Sequence, residues 1–168
     1  MGRPRAIVNE AAIAWSESSS GDTFRFRRKA LGAASGARML GASLYEVAPG
    51  ASAWPFHYHS ANEEAIFILE GAGTLRLGDG EHLVQKGDYI ALPTGPEHAH
   101  RLLNTSDKPL VYLCLSTMVE PEVSFYPDSG KFGVMVGSPP GGEKSRRTFE
   151  GSFRANAKVP YFDGEPDA

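Results

Sequence analysis

The chain has 168 residues, enough for one domain with a hydrophobic core of its own. Its net charge of −3 provides no general attraction to nucleic acid, and no apolar run approaches the ~18 residues of a membrane-spanning helix. The N-terminus also lacks the long apolar segment of a secretion signal. We therefore expect a soluble, cytoplasmic protein that binds neither nucleic acid nor membranes.

Glycine and proline residues recur along the whole chain. Nineteen glycines and twelve prolines fall between short apolar runs, a pattern typical of an all-β protein with many turns. In the N-terminal part we predict one strand at residues 23–27, flanked by loops at 16–22 and 31–37. The basic residues in and just after this strand are predicted to form a solvated face, with phosphate binding as the alternative; they are Arg25, Arg27, Arg28 and Lys29.

Further along, strands and turns alternate regularly. Predicted strands of four to nine residues lie at 39–47, 65–69, 74–77, 81–85, 89–92, 98–103 and 110–117, a spacing that indicates a sandwich or barrel. A hairpin is predicted from residues 123–126 and 132–136. The aromatic residues that follow are too numerous for a free tail, so we expect them to pack on the barrel or on a partner chain; they are Phe149, Phe153, Tyr161 and Phe162.

Four of the five histidines fall in two short clusters. If His57 and His59 lie on a strand, their side chains point to the same face, and Glu64 follows five residues later. Two neutral imidazoles and one carboxylate can bind one face of a divalent cation and leave other positions open. The alternative is a polar loop, but the added carboxylate and the flanking glycines favour a metal site. The second cluster, His98 and His100, follows a Pro/Gly turn.

These residues resemble the two motifs of the cupin superfamily. The first motif is matched by His57, His59, Glu64 and Gly71. The resemblance implies an all-β jelly-roll barrel that holds one divalent metal, with nothing to select among zinc, nickel, iron and manganese. We predict a single domain over residues 1–168, with a cupin core at about 40–118 and extensions at 1–39 and 119–168.

The second motif is matched in two halves that are out of step by two residues. In this motif one histidine follows a glycine- and proline-containing segment and precedes an asparagine. Counted forward from Gly87, Pro93 and Gly95, that histidine is His98; counted back from Asn104, it is His100. Either histidine could therefore be the fourth ligand. Turn loops absorb insertions more readily than paired strands. We therefore place the insertion in residues 93–97, which makes His100 the ligand. His98 would then lie nearer the barrel mouth, free to contact a substrate or a metal-bound water.

The resemblance implies two classes of function. One is a metal-dependent isomerase, decarboxylase or dioxygenase acting on a small sugar, sugar phosphate or carboxylate. The other is a non-catalytic module that binds or senses a small metabolite. No catalytic residue can be named from the sequence, and the basic residues nearest the metal motifs are Arg76 and Arg101. Because cupins commonly pair through added edge strands, we also expect a homodimer.

Overall fold

The computed structural model describes residues 4–167; residues 1–3 and 168, at the ends of the predicted domain, lie outside the described part. Thirteen strands and one short α-helix form within it, which confirms the prediction of an all-β fold. No helix in residues 4–167 is long and apolar enough to cross a membrane. The elements are β1 (Ser16–Ser20), β2 (Phe24–Ala30), α1 (Leu31–Ser35), β3 (Leu40–Val47), β4 (Tyr58–His59), β5 (Glu64–Glu70), β6 (Ala72–Leu77), β7 (Gly80–Gln85), β8 (Tyr89–Leu92), β9 (His100–Leu103), β10 (Leu110–Thr117), β11 (Glu122–Tyr126), β12 (Lys131–Val136) and β13 (Phe149–Arg154).

The strands form two layers of a jelly roll. The first layer is a six-stranded sheet in the order β1-β2-β3-β10-β5-β8. The second contains a four-stranded sheet, β13-β12-β11-β4, and a three-stranded sheet, β7-β6-β9. An isolated bridge between His57 and His100 joins these two sheets. His57 and His100 therefore meet at a seam within the second layer, whereas Glu64 lies on β5 of the first layer.

The core lies between the layers because each strand turns alternate side chains inward. On β5, Ile66 and Ile68 are buried, whereas Phe67 between them and Leu69 after them are exposed. Glu64 has the same parity as the two isoleucines, so its side chain points into the barrel. Side chains from both layers meet in one hydrophobic cluster, which includes Tyr45, Val47, Leu75, Leu102, Leu110 and Tyr112.

Three predicted loops or strand ends differ in the structure. Residues 16–20, predicted as a loop, form β1, which pairs antiparallel with β2 although every residue of β1 is exposed. Residues 31–35 form α1, which ends at Gly36 with a positive φ of 78°. The strand predicted from residue 98 begins at His100, because residues 96–98 form a 3₁₀ turn instead.

The C-terminal extension forms part of the barrel wall. The predicted hairpin is confirmed as β11 and β12, and the unpredicted strand β13 pairs with β12. On its other side β11 pairs with β4, which places Ser124 opposite His59. Residues more than 60 positions apart in the chain therefore share one side of the candidate site.

Candidate metal centre

Three side chains converge at the inner surface of the barrel. The ligand atoms of His57, His59 and Glu64 all lie within 4.8 Å of one another. His57 precedes β4, His59 lies on it, and Glu64 begins β5, so strand pairing fixes all three positions. The ring of His100, at the start of β9, lies beside them, with Nε2 3.5 Å from Glu64 Oε2. This arrangement could hold a divalent metal.

Backbone carbonyls orient two of the imidazoles. His57 Nδ1 lies 2.8 Å from the carbonyl oxygen of Pro55, and His100 Nδ1 lies 3.0 Å from that of His98. Because a carbonyl oxygen can only accept a hydrogen bond, each Nδ1 carries the proton. In the neutral ring, Nε2 then keeps a free lone pair, and this is the atom that can bind a metal.

The His59 ring is held between two carboxylates. Its Nδ1 lies 3.6 Å from Glu122 Oε2 and 3.3 Å from Ser124 Oγ, and its Nε2 lies 3.5 Å from Glu64 Oε2. Nε2 is buried and has no hydrogen-bond partner within residues 4–167. Buried polar atoms without partners are rare in folded proteins, so this one indicates room for a ligand. The donor set fits a divalent metal.

Glu122 was not predicted as a site residue. It is fully buried on β11, where its carboxylate accepts hydrogen bonds from the Ser60 backbone N–H at 3.1 Å and from the Asn62 side-chain amide. Asn62 is itself buried and also donates to the Val119 carbonyl. This network fixes a carboxylate against His59, the arrangement that orients metal-binding histidines in many proteins.

The pKa values of His57, Glu64 and His59 are shifted in different directions by burial and by their neighbours. Burial lowers the pKa of His57 to about 3, aided by the neighbouring His100 and His59, so this ring is neutral at pH 7. Burial alone would raise the pKa of Glu64, but the imidazoles of His100 and His59, each 3.5 Å from its carboxylate, lower it well below its usual range. For His59, burial is outweighed by the carboxylates of Glu122 and Glu64, which raise the pKa to about 9.

His98 occupies a different position from the other clustered histidines. It ends the 3₁₀ turn of residues 96–98, its side chain is 33% exposed, and its ring lies 3.8 Å from the Glu97 carboxylate. The prediction of a strand over residues 98–103 is therefore wrong for His98, since only His100 lies on β9. The structure brings His57, His59, Glu64 and His100 together and leaves His98 outside the group.

A cavity of about 1220 Å³ opens from this cluster toward the barrel mouth. One wall is aromatic: the rings of Tyr45 and Tyr112 stack with centroids 5.1 Å apart, and Trp54 packs against Phe26 at 4.9 Å. Apolar walls with a few convergent polar groups are typical of small-molecule sites. The cavity has room for a ligand of several carbon atoms beside the candidate metal centre.

Sequence comparisons agree with this geometry. The Cupin domain family model matches residues 43–116. An uncharacterised protein of Methanocaldococcus jannaschii is 37% identical over 70 residues, and quercetin 2,3-dioxygenase of Bacillus subtilis is 29% identical over 89 residues. These matches cover 42% and 51% of this chain but only 54% and 26% of the two relatives.

Solved structures extend the similarity to nearly the whole chain. A candidate sugar phosphate isomerase from Acidithiobacillus ferrooxidans has a TM-score of 0.76 and 23% identity, covering 93% of this chain and 97% of the other. A sugar phosphate isomerase of the cupin superfamily from Silicibacter pomeroyi has a TM-score of 0.75 and 24% identity, covering 90% and 94%. At these identities the similarity concerns the fold, including the N- and C-terminal extensions.

Proposed function

We propose that this chain, whose residues 43–116 match the Cupin domain family, binds one divalent metal inside the barrel and a small organic ligand beside that metal. The proposed ligands are His57, His59, Glu64 and His100, with zinc, nickel, iron or manganese as the metal. The observation that carries the proposal is the convergence of three ligand atoms within 4.8 Å at the inner end of a cavity. His59 Nε2, buried without a partner, supports it.

The chain's own residues prepare the site. The low pKa values of His57 and Glu64 keep one ring neutral and one carboxylate ionised, which are the forms that bind metals. Tyr45, Tyr112 and Trp54 provide an apolar wall against which a carbon skeleton can pack. When bound, the metal would act as a Lewis acid on an oxygen of the ligand.

The ligand class we propose is a small sugar, sugar phosphate or carboxylate. The reactions that fit such a site are isomerisation, decarboxylation and dioxygenation, and a binding module without turnover would use the same contacts. Two proteins of the same fold are described as sugar phosphate isomerases, so sugar phosphates are the first compounds to test. Product formation from a bound compound distinguishes the enzyme from the binding module.

Elemental analysis tests the metal directly. Untagged protein, never exposed to chelator or acid, should contain close to one divalent metal per chain. The variant His57→Ala should hold little metal yet still unfold cooperatively on heating, because the barrel has a core without the metal. The exposed His82→Ala is the matched control and should keep its metal. Metal-free wild-type protein would refute the proposal.

A further inference from the structure

The cavity beside the candidate metal centre is cationic, although the chain as a whole is acidic. The described residues that line it include seven arginines and lysines and four glutamates, a formal charge of +3, against −3 for the chain. A cleft lined by charge of one sign concentrates small ions of the opposite sign. The cavity therefore favours an anionic ligand over a neutral one.

Four of these seven cations are exposed, and Arg147 pairs with Glu150 at 2.7 Å. Only Arg28 and Arg101 are half-buried without a carboxylate partner among residues 4–167. Arg28 is half-buried on β2, and within residues 4–167 no carboxylate lies within 4.0 Å of its guanidinium. Its neighbours on the strand face the other way, where Arg27 pairs with Glu46 at 2.8 Å and Lys29 pairs with Glu10. The alternation of β2 thus places the two paired charges, one of them the buried Lys29, on the face away from the cavity, and Arg28 on the face that lines it.

The two arginines that the sequence placed nearest the metal motifs are already engaged. Arg76 forms two hydrogen bonds with the Asp128 carboxylate, at 2.8 and 3.0 Å, and does not line the cavity. Arg101 donates to Ser52 Oγ at 3.0 Å and lies over the Phe24 ring. Arg28 is therefore the better-placed guanidinium for a ligand inside the barrel.

Strand pairing places Arg28 on the same inner wall as the metal cluster. Arg28 is opposite Tyr45 on β3, and Tyr45 is opposite Tyr112 on β10. Tyr112 is in turn opposite Ile68 on β5, four residues along that strand from Glu64. Since neighbouring strands are about 4.8 Å apart, β2 and β5 are separated by about 14 Å before their side chains reach inward. A ligand that touches both ends must be several atoms long.

The Cys114 thiol, on β10, lines the same cavity as Glu64 and Arg28, and so do the stacked rings of Tyr45 and Tyr112. Burial and the Glu64 carboxylate raise the pKa of this thiol, and the Arg28 guanidinium acts to lower it. One cavity therefore contains the carboxylate at the metal cluster and the guanidinium.

We propose that Arg28 binds the carboxylate or phosphate group of a small molecule whose other end reaches the metal cluster. A guanidinium presents a planar fork of donors that matches both anions in a bidentate manner. The stacked rings of Tyr45 and Tyr112 lie between the ends, where they can contact the carbon skeleton. The metal end of this model rests on the function proposed above; the anion end rests on Arg28 and the cavity.

The test compares an anionic ligand with its neutral counterpart. Ribose 5-phosphate, succinate and ribose are titrated by calorimetry into full-length wild-type protein with its metal, and into Arg28→Gln, Arg28→Lys and Arg25→Gln. Arg25 is the matched control, since it is an exposed cation on the same strand outside the cavity. Metal content and thermal unfolding of each variant establish that the barrel is intact.

We expect Arg28→Gln to weaken binding of the preferred anion about tenfold to hundredfold, the effect of losing hydrogen bonds to a charged group. Arg28→Lys should recover part of that loss, Arg25→Gln should change it less than twofold, and ribose should bind Arg28→Gln as it binds wild type. The stronger of ribose 5-phosphate and succinate identifies phosphate or carboxylate as the group bound.

Three results would overturn the proposal: no saturable binding of either anion to wild type, equal binding by Arg28→Gln and wild type, or equal losses in Arg28→Gln and Arg25→Gln. Repeating the titrations in His57→Ala separates the two ends of the site. If the protein holds no metal but anion binding still depends on Arg28, the metal function fails and the anion subsite stands.

Discussion

At the scale of single residues, Glu122 shows what the sequence motifs leave out. His57, His59 and Glu64 were predicted because they lie within eight positions of one another, whereas Glu122 hydrogen bonds to Ser60 across 62 positions. Only the pairing of β11 with β4 brings it to the site. One signal was available: Glu122, directly before the predicted strand at 123–126, and Ser124 within it alternate with Val123 and Phe125, which places two polar side chains on one face if the strand begins one residue earlier.

Replacing the Glu122 carboxylate should weaken metal binding without removing a ligand. Glu122→Gln keeps the size of the side chain but loses the charge that holds His59 Nδ1. Loss of such an outer partner reduces metal affinity about 10-fold to 100-fold. Competition with a chromophoric chelator measures the change, with the exposed Glu97→Gln as control. Unchanged affinity in Glu122→Gln would show that the buried carboxylate serves packing alone.

The pKa of His59 sets the pH range of metal binding. Its two carboxylate partners raise that pKa from 6.5 to about 9, so in the metal-free protein at pH 7.5 the ring carries a proton. The ion pairs of this ring stabilise the metal-free fold fully below pH 6.5, and that contribution is lost as the pH rises through about 9. A metal requires the neutral ring and must displace the proton.

We therefore expect close to one proton to be released from His59 per metal bound at pH 7.5, and metal affinity to rise with pH until about 9. Calorimetric titration in buffers of different ionisation enthalpy counts the protons. In Glu122→Gln the count should fall, because one of the groups that raises the pKa is gone. A count of zero in wild-type protein would contradict the prediction.

At the scale of elements, the sequence predicted strands with one buried face and missed those without one. Strand β5 was predicted from the apolar run at residues 65–69, and β8 and β10 match their predicted limits. Strand β1 has no buried face: all five of its residues are polar and exposed, and backbone pairing to β2 holds it in place. Pairing of that kind depends on the neighbouring strand, so local composition cannot reveal it.

The segment between β8 and β9 decides which histidine of the second cluster faces the metal. Its turn, with Gly95 at a φ of 111° and a 3₁₀ turn at residues 96–98, accommodates the irregular spacing before the strand begins. His100→Ala should therefore lose metal, since this ring lies 3.5 Å from Glu64. His98→Ala should keep its metal and its ligand affinity, because the His98 ring lies beside Glu97 and is not among the described residues that line the cavity. Elemental analysis and ligand titration of both variants provide the check, and the reverse pair of results would assign the ligand to His98.

At the scale of the whole molecule, the two layers end in exposed edges. Strand β1 is an edge strand of the six-stranded sheet, and β13 is an edge strand of the four-stranded sheet. Near β13, large apolar side chains are exposed: Phe149 by 48%, Phe153 by 42% and Tyr161 by 90%. An edge strand with unpaired backbone groups and apolar neighbours is a surface that another chain can cover.

We accordingly expect a homodimer that covers the β13 edge. Light scattering should give about twice the chain mass of 18.1 kDa at micromolar concentration. Phe149→Lys should shift the population toward monomer, because it places a charge on the covered edge. Leu83→Lys, at an 87% exposed position on β7, is the control and should remain dimeric. A wild-type mass of one chain would refute the dimer.

The seam between His57 and His100 has a consequence for local opening of the barrel. Each residue donates its backbone N–H to the carbonyl of the other, at 3.1 and 2.8 Å, and this single bridge joins the two sheets of the second layer. A metal held by both side chains would resist any opening that separates them. At a metal concentration of about 100 times Kd, hydrogen–deuterium exchange of these two amides should slow about a hundredfold. Amides of the β6–β7 hairpin, which contributes none of the proposed ligands, should keep their exchange rates. The metal would then stabilise the barrel against local opening only where the two sheets of the second layer join.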